Sequence, residues 1–156
     1  MAASTDVLRK PRERELVITR IFDAPRSLVF RAWTEPEHLV RWWGPQGFTT
    51  PSCKMDVRPG GAFRFVMRSP EGTEHRLCGV YREIEEPERL VCTWAWEDAE
   101  GKLGHETRLT VTFAEQGGKT RLTLHQAVFD SVTAREGHQS GWTQAFDRLA
   151  AYLATG

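Results

Sequence analysis

The sequence predicts an α+β domain: a curved antiparallel sheet of about seven strands, two short helices after the first strand, and a long C-terminal helix. Three observations carry this. Alternating apolar and polar runs recur between Gly- and Pro-bearing turns from Thr50 to Phe129. A helical period replaces the alternation from about Val132 to Ala154. Between the first strand-like run and the others lies a segment with two helix-start signals.

The elements follow in order. Glu15 to Phe22 (ELVITRIF) mixes β-branched and aromatic residues and reads as a strand. Asp23-Ala24-Pro25 opens a short helix, whose Leu28, Val29, Ala32 and Trp33 recur at helical spacing. Thr34-Glu35-Pro36-Glu37 fits a capping box, so a second short helix is expected from Pro36, carrying Leu39, Trp42 and Trp43 and ending at Gly44-Pro45. Two adjacent Trp on a short helix are not expected to point inward together. Either one packs on the core and the other covers the cavity entrance or a partner surface, or both serve to anchor the short helices to the sheet.

Thr50 to Val57 then places Cys53, Met55 and Val57 on one face, and Pro59-Gly60-Gly61 turns the chain. Ala62 to Arg68 sets Phe63, Phe65 and Met67 against Arg64 and Arg68. Glu74 to Ile84 has apolar residues on both faces and is left unoriented. Arg89 to Trp96 puts Leu90, Cys92, Trp94 and Trp96 together. Thr107 to Phe113 aligns Leu109, Val111 and Phe113. Thr120 to Phe129 aligns Leu122, Leu124, Gln126 and Val128. Six such runs joined by short turns imply an antiparallel meander that must cover its apolar face. The C-terminal stripe Trp142, Phe146, Leu149 and Leu153 supplies the cover. A helix of about 20 residues is about 30 Å long and can cross the sheet.

The bulk numbers narrow the function. A chain of 156 residues is expected to form one domain over 15–156, with 1–14 as a flexible tail. Lys plus Arg equals Asp plus Glu at 21 each, which argues against an electrostatic grip on nucleic acid or an anionic membrane. No apolar run approaches the ~18 residues of a membrane span. Cys53, Cys78 and Cys92 are odd in number and unpaired in spacing, so reduced thiols and a cytoplasmic location are expected. The five His and three Cys lack HxxxH or CxxC spacing, so no metal is expected. No phosphate loop or nucleophile motif is present, so no cofactor and no catalytic residue are assigned.

The order strand, two short helices, six strands, long helix resembles the helix-grip fold of the SRPBCC or START-like superfamily, shared by START lipid-transfer domains, the birch pollen allergen and aromatic polyketide cyclases. More narrowly, the chain resembles the bacterial branch named for the C-terminal domain of the activator of the heat-shock protein 90 ATPase. Four pieces carry this: Asp23-Ala24-Pro25 through Val29-Phe30 with Ala32 to Glu37; Trp42-Trp43-Gly44-Pro45; Asp56 to Gly61 with Pro87 to Val91 and Thr93-Trp94; and His138 to Trp142 with Asp147-Arg148-Leu149. The resemblance implies a pocket between sheet and helix. It does not imply the co-chaperone role, which belongs to eukaryotic proteins with an additional N-terminal domain.

On that fold, the expected ligand cavity is lined by Phe63, Phe65, Met67, Trp94, Trp96, Leu109, Val111, Leu124 and Gln126 from the sheet, with Trp142 and Phe146 from the helix. Trp43, His105 and His138 are expected at its mouth. The plainer alternative is that these aromatics only fill the core. Gln126 breaks an apolar face, and a buried amide needs a partner, either a ligand or another protein group. The leading function is binding of a small hydrophobic or aromatic molecule. Two rivals stay open: a cyclase-like enzyme using His138, His105 or Tyr81, and an interaction module that pairs with a chaperone or with a second copy of itself.

Overall fold

The computed structural model describes residues 14–155. The expected tail over 1–14 lies outside these residues except for Arg14, whose carbonyl accepts from the Phe129 amide at 2.9 Å.

The strands are β1 (Glu15–Phe22), β2 (Thr49–Met55), β3 (Ala62–Arg68), β4 (Glu74–Glu85), β5 (Arg89–Glu97), β6 (Thr107–Gln116) and β7 (Lys119–Ala127). The helices are α1 (Arg26–Thr34), α2 (Pro36–Leu39) and α3 (Val132–Thr155). All neighbours are antiparallel, and the curved sheet runs β1-β7-β6-β5-β4-β3-β2. The predicted meander is therefore present, and the first strand closes onto the last.

Alternation sets the faces. Phe63, Phe65 and Met67 of β3 are buried while Arg64 and Arg68 are exposed. Leu109, Val111 and Phe113 of β6 and Leu122, Leu124 and Gln126 of β7 point to the same interior. The undecided strand β4 turns Leu77 and Tyr81 inward, and a register shift between Tyr81 and Glu83 lets Ile84 also reach the core. That irregularity is why its sequence shows apolar residues at both parities.

Three local expectations are corrected. Thr34 ends α1, and its hydroxyl donates back to the Phe30 carbonyl at 3.0 Å; no side chain caps α2, so the capping box does not form. Helix α2 stops at Leu39, and the turn that follows buries both Trp42 and Trp43. Trp42 reaches back to donate its indole N–H to the Ala32 carbonyl at 3.1 Å. Val128 is exposed and Phe129 is buried, because β7 ends at Ala127 and its alternation stops there.

Helix α3 lies along the apolar face through Trp142, Ala145, Phe146, Leu149 and Leu153. Phe146 meets Phe22 edge-on at 5.7 Å, and Asp147 pairs with Arg20 at 2.7 Å, fixing the helix to β1. The centre is filled from α1 and the turn after α2. The Trp33 ring packs against Trp42, Trp43, Phe113, Trp142 and Phe146 at centroid distances from 4.9 to 6.3 Å. Aromatic pairs of this kind each add about 0.5–1.5 kcal/mol beyond their burial.

Candidate functional site

Because Trp33, Trp42 and Trp43 occupy the middle, the free space is displaced toward the N-terminal half of α3. A cleft of about 320 Å³ lies there. Its sheet side is Met67 of β3, His75 of β4, and Trp94 and Trp96 of β5. Trp43, Gly44, Pro45 and Phe48 form a second side. Helix α3 contributes Ala134, Gly137, His138, Gly141, Trp142 and Ala145. The small residues 134, 137, 141 and 145 are three or four apart, so they share one helix face. A Cβ at Gly137 would meet nothing within 4 Å, and one at Gly141 would only touch Pro45 at 3.8 Å.

Of the residues expected from the sequence, the cleft brings together Met67, Trp94, Trp96, Trp142, Trp43 and His138. Phe63, Phe65, Leu109 and Val111 surround a separate void of about 30 Å³, room for about one water. Leu124, Gln126 and Phe146 are fully buried in the core and line neither space. His105 lies on the surface with Nε2 2.6 Å from the Val128 carbonyl and does not line the cleft. Phe48, His75 and the small face of α3 were missed. The small-residue spacing around His138 and Trp142 was visible in the sequence and could have found the last of these.

His138 organises one wall. Its Nε2 accepts from the indole N–H of Trp96 at 3.0 Å and of Trp94 at 3.2 Å. Its Nδ1 lies 2.8 Å from the Ala134 carbonyl, one helical turn back. Two donors aimed at Nε2 require its lone pair, so the proton sits on Nδ1 and the ring is neutral. Burial pushes its pKa down, outweighing the Ala134 carbonyl and Asp130, which favour the charged form.

The buried amide is satisfied by protein. Gln126 Oε1 accepts from the Trp142 indole at 2.9 Å, and its Nε2 donates to Thr107 Oγ1 at 2.9 Å. The relay ties α3 to β7 and β6 directly behind the cleft. On the loop side, Arg148 donates from one guanidinium nitrogen to the carbonyls of Trp43, Gly44 and Pro45 at 2.9 to 3.0 Å. These contacts fix the loop that carries the second wall.

The indoles of Trp94, Trp96 and Trp142, the His138 ring and the loop carbonyls are thus engaged within the protein, and the cleft offers aromatic and aliphatic surface together with the exposed imidazole of His75. Residues 23–154 match the family described as activator of Hsp90 ATPase homolog 1-like protein. The chain belongs to this family, within the SRPBCC group. Among solved structures, it is similar to an AHSA1 protein from Silicibacter pomeroyi at 27% identity and TM-score 0.82, over 90% of this chain and 98% of that one. A protein from Chromobacterium violaceum shares 29% identity at TM-score 0.80, over 90% and 96% of the two chains. CalU16 from Micromonospora echinospora shares 26% identity at TM-score 0.70, over 89% and 75%. No curated protein matches the chain.

Proposed function

We propose that this family member binds a small apolar molecule in the cleft between β5, the Trp43–Phe48 loop and the N-terminal half of α3. The observation that carries the reading is the small face of α3. Gly137 and Gly141 lie in mid-helix, where Gly costs about 1 kcal/mol relative to Ala, yet their missing side chains open space instead of accommodating a neighbour. A volume of about 320 Å³ suits a guest of one or two rings. Binding would come from burial of apolar area at about 25 cal/mol per Å², enough for micromolar affinity for such a guest. The three free cysteines fit a reducing compartment such as the cytoplasm.

A cyclase-like reaction has less support. It needs an acid or base with a free nitrogen or oxygen facing the guest. Both nitrogens of His138 are engaged, His105 is elsewhere, and burial raises the Tyr81 phenol far above its ordinary range, which leaves the exposed His75 on the cleft wall as the imidazole a guest would meet. An interaction module would use a broad apolar face. The exposed large hydrophobics among the described residues are Val17, Ile21, Leu103 and Val128, which come from β1, the β5–β6 loop and the end of β7.

The test is to load the purified protein from a crude cell extract and identify retained small molecules by mass spectrometry. Gly141→Leu fills the cleft from the helix side and is expected to abolish retention while the melting temperature holds. Equal retention by wild type and this variant would place the binding site elsewhere and overturn the proposal.

A further inference from the structure

Resting on the ligand-binding reading, we propose that the guest of the cleft carries a single carboxylate on its apolar body, with the carboxylate seated at His75. The first support is the placement of this imidazole. His75 shares its parity on β4 with the buried Leu77, so it faces the concave side of the sheet. Its partner across the ladder is Met67 of β3, which also lines the cleft. Leu77 is shut off from solvent and His75 is exposed, so His75 marks the place where the cleft opens. Its ring stands between Phe48 of the loop, at 5.8 Å and 40°, and Trp96 of β5, at 6.5 Å and 81°.

The second support is its unused hydrogen-bonding capacity. Among the described residues, His138 spends both ring nitrogens within the protein and His75 spends neither. An imidazole offers at least one N–H donor in either protonation state. Its bond to a carboxylate is charge-assisted and about twice as strong as one between neutral partners. A head group at the exposed mouth keeps part of its hydration, so seating it there costs far less than burying it.

The third support is the charge around the cleft. Arg148 follows Gly141 and Ala145 on one face of α3 and grips the Trp43–Pro45 carbonyls from behind the loop. Burial alone shifts its pKa, downward, with no carboxylate opposing. Among the described residues, the lining holds no Asp or Glu. Glu74, beside His75, lies on the other face of β4 and is held by Arg68 and Arg76. Asp98, just past β5, turns Oδ1 to the amides of Glu100 and Lys102. Asp130 acts on His138 from outside the lining. An acidic head thus meets a free donor and an unbalanced positive charge, whereas an ammonium head meets no anion in the lining.

2-Naphthoate and 2-naphthamide have nearly the same shape, and their two fused rings suit a volume of about 320 Å³. Each is titrated into the full chain at neutral pH by calorimetry, with tryptophan fluorescence as a second readout. The carboxylate is expected to bind about fivefold more tightly. His75→Phe keeps a ring between Phe48 and Trp96 but removes the N–H. It should weaken 2-naphthoate about fivefold and leave 2-naphthamide within about twofold of wild type. His75→Gln restores a neutral donor and should recover part of the loss. Should His75→Phe fail to fold, the wild-type ratio remains the test. Equal or tighter binding of the amide by wild type, or an undiminished preference in folded His75→Phe, would overturn the carboxylate assignment and leave the apolar-ligand reading standing. Binding of neither compound up to its solubility would overturn both.

Discussion

The Nε2 atom of His138 on α3 accepts the indole N–H of Trp96 on β5 at 3.0 Å, and the Trp94 indole converges on the same atom at 3.2 Å. One imidazole thus closes the helix onto the strand and fixes two walls of the cleft. Replacing it with Ala leaves two indole donors without their acceptor. Each unsatisfied buried donor costs about 1–3 kcal/mol, although Trp96 is only partly buried and regains some water. His138→Ala is expected to lose about 2–3 kcal/mol in urea unfolding, with a marked change in near-ultraviolet circular dichroism from the released tryptophans. A loss within about 0.5 kcal/mol would show that the convergence is incidental.

The same geometry gives a pH dependence. A proton on Nε2 would face two N–H donors, and burial already lowers the His138 pKa below its ordinary value near 6.5. Above that value neither the folded nor the unfolded chain holds this proton. As the pH falls below it, the unfolded chain takes up the proton first, so unfolding binds protons and stability declines. The decline ends once the pH passes the lowered native value. Urea midpoints of wild type should therefore fall between about pH 7 and 5 more steeply than those of His138→Gln. Parallel slopes would remove His138 from this role.

Two glycines separate space kept for a guest from space demanded by the fold. At Gly137 a Cβ enters open volume, so Gly137→Ala is expected to stabilise the chain by up to about 1 kcal/mol through helix propensity alone. At Gly79 a Cβ would stand 2.0 Å from the Thr93 carbonyl oxygen and 2.4 Å from the Phe63 ring. Gly79→Ala forces β4 away from β5 and should cost about 1–3 kcal/mol or more. Thermal unfolding of the two variants should move in opposite directions, and a shared sign would refute the contrast.

Much of this was legible in the sequence. Alternation in β3, β6 and β7 oriented their side chains, because one face of an antiparallel sheet must be apolar; in β5 the inward set was read from Leu90, Cys92 and Trp94, although Val91, Thr93 and Ala95 on its other face are buried as well. The stripe on α3 was read correctly for the same reason. What escaped is tertiary. That Trp42 and Trp43 both anchor the small helices was one of the readings the sequence allowed, but the turn after Leu39 that lets both enter the core was not visible in a helical face. That Phe63 and Phe65 sit in packed interior, away from the cleft, depends on Trp43, which meets Phe65 edge-on at 5.2 Å from another element, with Trp33 packed behind it. Residue periodicity fixes which face is inward but not how much of the interior the neighbouring elements occupy. Gln126 was correctly marked as a buried polar group in need of partners, yet only the fold shows that Thr107 and Trp142 supply them.

That relay can be tested as a unit. Gln126→Leu removes the acceptor of the Trp142 indole and the donor to Thr107, leaving polar groups buried without partners. It should cost about 1–3 kcal/mol. Trp142→Phe in the same chain removes the stranded indole N–H. In a double-mutant cycle the second change should then cost less than it does in wild type, by about 1 kcal/mol. Strict additivity would mean that Gln126 and Trp142 are neighbours without a bond of consequence.

The thiols give a prediction about reactivity. Burial pushes Cys53 up to about 11 and Cys92 up to about 12. Cys78 is also raised to about 11, first by burial and then because its thiol donates to Glu97 at 2.9 Å. Arg64 grips the same carboxylate at 3.1 and 3.2 Å, and with Cys78 it holds Glu97 down to about 2, so Glu97 remains an acceptor throughout the neutral range. The nucleophile is the thiolate, and at neutral pH none of the three forms it appreciably. A disulfide reagent at pH 7.5 is expected to leave the folded protein almost untouched over an hour and to titrate all three thiols on addition of denaturant. Glu97→Gln removes the charged acceptor, and Cys78 should become the first thiol to react without denaturant. Rapid labelling of wild-type Cys92, the buried thiol, would show that the interior opens far more readily than its packing implies, and rapid labelling of Cys78, on the outer face beside Arg64, would show that its bond to Glu97 does not keep the thiol protonated.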